Sequence, residues 1–199
     1  MRTGQESGTL DDVTEPDLTP ALIAELGKKT AVSWLRYGEH ADGRADEAAA
    51  ATHAAWHVWL DTGDGGALYV VSGGAEQVLP GIEHARRVEV TMRSKENGGR
   101  LVTWVADATR VEPGDERWEP ATAALVAGRL NLPDLATAAA GWAETSVVTR
   151  LSPTGERVEQ PGSLSSVHHR ATPRATPATT RGALPRVLHR RVRRRPKLS

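Results

Sequence analysis

Cysteine and phenylalanine are both missing from the 199 residues. Without cysteine there is no disulfide framework, no thiolate-ligated zinc or iron–sulfur centre, and no cysteine nucleophile. Long apolar runs are missing too. None approaches the roughly 18 residues that a membrane-spanning helix needs. The stretch Met1 to Thr14 is polar and acidic and lacks the basic start and apolar stretch of a signal peptide. The expectation is therefore a cytoplasmic protein without a membrane segment. Nucleophile elbows of the Gly-x-Ser-x-Gly type are also absent, as are the lysine and third glycine that would complete a P-loop or dinucleotide fingerprint.

What is present is unevenly spread. The 25 basic and 25 acidic residues cancel, yet residues 160–199 hold ten Arg or Lys and no Asp or Glu. A body of charge −10 thus carries a tail of charge +10. With six Trp, two Tyr and no Phe, the tryptophans are expected to supply much of the core.

Residues 1–16 read as a disordered N-terminus, 17–155 as one folded domain, and 156–199 as a basic low-complexity tail. Inside the domain, Thr19 suits an N-cap and Pro20 the first helical position, with Leu18 and Ile23 as a hydrophobic staple and Gly27 as the stop. Ala31–Tyr37, Trp56–Asp61 and Ala67–Val71 read as strands, the last two joined as a hairpin through a Gly/Asp cluster. Val88–Met92 alternates cleanly, and a turn containing Asn97-Gly98 joins it to a long strand, Leu101–Val111. A helix follows from Trp118 to Leu130, with Pro120 tolerable only in its first turn. A short alanine-rich segment then ends near Trp142. Ser146–Leu151 is the last strand, stopped by Ser152-Pro153-Thr154-Gly155. The charged, alanine-rich stretch Glu39–Thr52 reads as an insertion, a loop or a transient helix. Hairpins without strand–helix alternation give a mainly β chain with minor α content, a small six-stranded antiparallel barrel.

Few residues announce chemistry. His53 and His57 are four apart, but no glutamate lies between them, and four-apart strand residues are about 13 Å distant. No metal site is expected. His57 reads as a partly buried strand histidine or a ring-nitrogen donor to a ligand. Ser72-Gly73-Gly74 follows a strand and reads either as an anion nest or as a plain turn. Of Arg86 and Arg87, one points toward a cleft or partner subunit, and Arg suits bidentate phosphate binding; a solvated rim charge is the alternative. The tail could bind nucleic acid non-specifically, fold back on the acidic body, or be a frame-shifted terminus.

Trp56-His57-Val58-Trp59-Leu60-Asp61, a glycine turn, and Leu68-Tyr69-Val70-Val71-Ser72 open a pattern that continues through Ala85-Arg86-Arg87-Val88-Glu89-Val90. Leu101 to Val111, centred on Ala106-Asp107-Ala108, and the helix from Trp118 complete it. This order resembles the flavin-binding split-barrel family related to pyridoxamine 5′-phosphate oxidase, over about residues 18–152. Gly73-Gly74-Ala75-Glu76-Gln77 and Arg93-Ser94-Lys95 resemble an actinobacterial-type branch of it.

The resemblance implies a homodimer of six-stranded split barrels holding FMN or a deazaflavin at the interface, an oxidoreductase acting on a small molecule by hydride transfer. It implies a phosphate grip from Ser72 and Gly73, the Glu76-Gln77 region, and Arg86 or Arg87. His57, Trp59 and Trp104 are implied to line the flavin ring, each with a competing core role. Where many relatives place Lys or Arg, this chain has Glu76 and Gln77, and a carboxylate there opposes a phosphate by Coulomb repulsion. A split barrel without cofactor, serving as a binding module, is the alternative.

Overall fold

The structure is a computed structural model and describes residues 19–38, 50–62, 65–129 and 134–166. The chain divides into the units Met1–Ser165 and Ser166–Ser199, and every element belongs to the first. The expectations for residues 1–16, for most of the 39–52 insertion and for the basic tail beyond Ser166 lie outside the described residues.

The order is α1 (Thr19–Lys29), β1 (Val32–Tyr37), β2 (Ala51–Trp56), β3 (Val58–Thr62), β4 (Gly65–Gly73), β5 (Arg87–Arg93), β6 (Arg100–Val111), α2 (Trp118–Gly128), α3 (Ala138–Thr145) and β7 (Ser146–Glu159). All seven strands form one antiparallel sheet in the order β2-β1-β5-β6-β7-β4-β3. Leu35 of β1 and Leu68 of β4 lie four places apart in that order, yet both are fully buried in one cluster with Val90, Trp104 and Leu151. The sheet is therefore curled around its own interior, and Ile23 and Leu26 of α1 pack into the same cluster. This is a split barrel, as expected.

A second cluster lies on the other face of β4. Ala67, Tyr69 and Val71 pack there against Trp118, Ala121 and Leu125 of α2 and Trp142 of α3. Alternate residues of β4 thus enter two different cores, which is why its sequence reads as a continuous apolar run.

Four expectations need correction. Gly27 does not stop α1, which runs on to Lys29. There are seven strands rather than six, because the alanine-rich Ala51–Trp56 pairs with β1 along its whole length. Alanine has low strand propensity, and here the backbone ladder to β1 overrides it. The expected strand Trp56–Asp61 is two strands broken at His57. Nor does Pro153-Thr154-Gly155 end the last strand. It is a bulge: Ala106 pairs with Pro153 and Trp104 with Arg157, so extra residues on β7 are pushed out between them. Gly155 takes a φ of 85° there, and the Thr154 hydroxyl donates to the Val105 carbonyl at 2.9 Å. Ala138–Thr145 is helical, which its alanine content permits and its short length obscured.

Candidate functional site

The turn after β4 gathers more of the expected site residues than any other place. Gly73 and Gly74 have φ of 95° and 61°, in the left-handed region that favours glycine. They fold the chain back so that Gly73 N–H donates to the Gln77 carbonyl at 3.1 Å and Glu76 N–H to the Gly73 carbonyl at 3.0 Å. A Cβ on Gly74 would lie 2.7 Å from the Thr145 hydroxyl oxygen. The glycine is thus required by close packing onto the α3–β7 junction.

Each side chain of this turn already has partners. The Ser72 hydroxyl oxygen accepts the Leu79 N–H at 2.9 Å. Gln77 spends its amide completely: its oxygen accepts Trp56 N–H at 2.7 Å, and its nitrogen donates to the carbonyls of Trp56 at 2.9 Å and Val71 at 3.1 Å. It ties the end of β2 to the end of β4. Glu76 pairs with Arg129 at 3.0 Å and accepts the Trp142 indole N–H at 3.3 Å.

The other candidates lie elsewhere. His57 is 2% exposed, between β2 and β3, and its Nδ1 sits 3.3 Å from the Ser33 hydroxyl. Burial lowers its pKa to about 4, against the opposing pull of the Gly27 and Ala55 backbone, so the ring is neutral near pH 7. Its Nε2 is buried without a hydrogen-bond partner. Trp59 is wedged between two glycines: a Cβ on Gly27 or Gly66 would come within 2.4 or 2.3 Å of its ring. Its indole N–H donates to Asp61 at 2.9 Å, and Lys28 pairs with the same carboxylate at 2.6 Å. Those two contacts, Lys28 first, hold the Asp61 carboxyl below its usual pKa. Trp104 is buried to 1% exposure in the barrel interior.

Arg86 and Arg87 are exposed at the start of β5, where Arg87 pairs with Glu156. Sheet register separates them from the turn. Arg87 pairs with Asp107, Asp107 with Ser152, and Ser72 with Val147, so Ser72 and Arg87 stand three strands and five rows apart. At ordinary spacings that is about 16 Å along the strands and about 14 Å across them.

Of the histidine pair four apart, His53 packs on Tyr37 with tilted rings whose centroids are 5.4 Å apart, and His57 is buried between β2 and β3. Among the described residues, one concavity of about 160 Å³ lies along Arg157–Gln160 and Ser163, and another of about 40 Å³ between Thr19, Ile23, Trp104 and Pro153. Both are below the roughly 300 Å³ at which drug-sized ligand pockets begin. Sequence reasoning missed Arg129 and Trp142. Their pairing with Glu76 joins residues 53 and 66 positions apart, and no local pattern signals it.

Together the curled sheet and its two cores define a split-barrel protein. No protein-family model and no curated protein matches the chain. Solved structures similar to it include HutZ, a heme storage protein from Vibrio cholerae (16% identity, 67% of this chain and 88% of that one, TM-score 0.46). A Listeria innocua protein named for pyridoxamine 5′-phosphate oxidase is 17% identical over 68% of this chain and 94% of its own, with a TM-score of 0.42. An F420 reductase is 14% identical over 65% and 91%, with a TM-score of 0.38. The likeness is one of fold.

A flavin phosphate can be tested against the turn directly. Gln77 has no amide proton left for it, and the Glu76 carboxylate repels it. Residues 76–77, as folded, do not fit a phosphate dianion. Ser72 keeps a hydroxyl that can still donate, and Arg86 and Arg87 are cations at the surface.

Proposed function

We propose that this protein is a split-barrel oxidoreductase that acts on a small molecule with FMN or a deazaflavin held between two copies of the chain. The supporting observation is where the sequence motifs fall. Trp56 to Ser72 spans the end of β2 and the β3–β4 hairpin, Arg86-Arg87 enters β5, Ala106-Asp107-Ala108 is central in β6, and Trp118 opens α2. When bound, such a group supplies the redox chemistry, and the protein supplies position and electrostatics. Two copies are part of this reading. A cytoplasmic setting belongs to the same reading.

The committed turn favours a second reading, a split barrel without cofactor that serves as a binding module. One experiment separates the two. Purified protein is examined by visible absorption, then titrated with FMN and with a deazaflavin, while sedimentation gives its oligomeric state. A flavin band, or micromolar binding that Arg87→Ala weakens in a dimer, supports the oxidoreductase. A colourless protein that binds neither supports the module. The basic tail remains a proposed non-specific contact for nucleic acid, read as salt-sensitive DNA binding that is lost when residues 160–199 are deleted; binding that survives the deletion refutes it.

A further inference from the structure

A carboxylate at 4% side-chain exposure is costly unless it is compensated, and Glu76 is compensated by groups from two distant segments. Arg129, just past the end of α2, brings Nη2 to 3.0 Å. Trp142 of α3 donates its indole N–H at 3.3 Å. The Arg129 guanidinium also lies over the Trp56 ring, 5.6 Å from its centroid, so an aromatic wall backs the cation. A further donor is unspent: Arg129 Nε is buried without a hydrogen-bond partner.

We infer that Arg129, Trp142 and Trp56 form a binding site for a small oxyanion, a carboxylate or a phosphate, and that the chain's own Glu76 is its tethered occupant. A guanidinium with one indole N–H beside it is the donor set that recognises such an anion. The carboxylate reaches it from a turn fixed by Gly73, Gly74 and the Gln77 amide. Tethering gives Glu76 an effective concentration on the order of millimolar or more, so free anions at low concentration do not displace it. Removing the side chain vacates the site and leaves the Arg129 guanidinium, its side chain 30% exposed, without its counter-charge. The inference stands on this cluster alone and is independent of any flavin.

The test is rescue of Glu76→Ala in the full-length chain by added anions. Thermal unfolding is followed in sodium chloride, acetate and phosphate at matched ionic strength. The expected result is a wild-type melting temperature that differs little among the three, and a lowered one in Glu76→Ala that acetate or phosphate raises with saturation in the millimolar range. Adding Arg129→Ala should abolish that rescue. If Glu76→Ala does not fold in chloride, refolding yield becomes the readout, with recovery only in acetate or phosphate expected. Equal behaviour in all three salts, by melting or by refolding, overturns the inference.

Discussion

Individual residues here are set by what touches them, and the histidine at position 57 illustrates it. Its folded pKa of about 4 lies below the ordinary histidine value of 6.5, so the unfolded chain takes up a proton that the native chain refuses. Stability is therefore complete above pH 6.5 and falls as pH drops toward 4. The loss is on the order of 3 kcal/mol. Denaturant melts between pH 7.5 and 4.5 should show that slope, and His57→Gln should flatten it. Trp104 fills the barrel interior at 1% exposure. Trp104→Ala should cost roughly 3–5 kcal/mol in urea unfolding, whereas a surface tryptophan would cost far less. Gln77→Leu removes three hydrogen bonds and leaves backbone groups of Trp56 and Val71 unpaired. A loss of at least about 2 kcal/mol is expected.

At the scale of elements, two glycines with opposite roles give a paired prediction. Gly27 near the end of α1 faces the Trp59 ring, and a Cβ there would sit 2.4 Å from a ring carbon. Gly141 in α3 has open space around its missing Cβ and no positive φ. Gly27→Ala should destabilise by about 1–3 kcal/mol through overpacking, while Gly141→Ala should stabilise by about 0.5–1 kcal/mol through helix propensity. Thermal melts of the two variants should move in opposite directions. The hairpins, the long β6 and both flanking helices α1 and α2 were legible, because alternation, Asn97-Gly98 and Thr19-Pro20 are local signals. β2 and the second half of β7 were not. Each depends on a partner strand that sequence cannot see, β1 for the alanines and β6 for the bulge at Pro153–Gly155.

At the scale of the whole molecule, side chains tie the end of the first unit to its sheet. Glu159 pairs with Arg100 at 3.0 Å, accepts the Thr103 hydroxyl at 3.0 Å, and accepts Ser165 N–H at 3.1 Å. Arg100 also donates to the Ser165 carbonyl at 2.6 Å. A chain ended after Gln160 should melt lower than one ended after Ser166 by the equivalent of about 1–2 kcal/mol. Calorimetry of the two truncations decides it, and equal melting temperatures would remove Ser165 from the folded unit's stability.

The sequence alone determined that this is a mainly β chain of hairpins with tryptophan-rich cores, a split barrel by the order of its motifs. Periodicity and turn chemistry are properties of neighbouring residues, so they survive without coordinates. Tertiary structure decided how the expected site residues are used. It spent Gln77 on Trp56 and Val71, wedged Trp59 between Gly27 and Gly66, and placed Ser72 and Arg87 three strands apart. It also gave Glu76 a guanidinium and an indole N–H to sit in. Those outcomes depend on sheet order and on which helix packs over which strand. Both are fixed by contacts between residues tens of positions apart, where a single sequence carries no local signal.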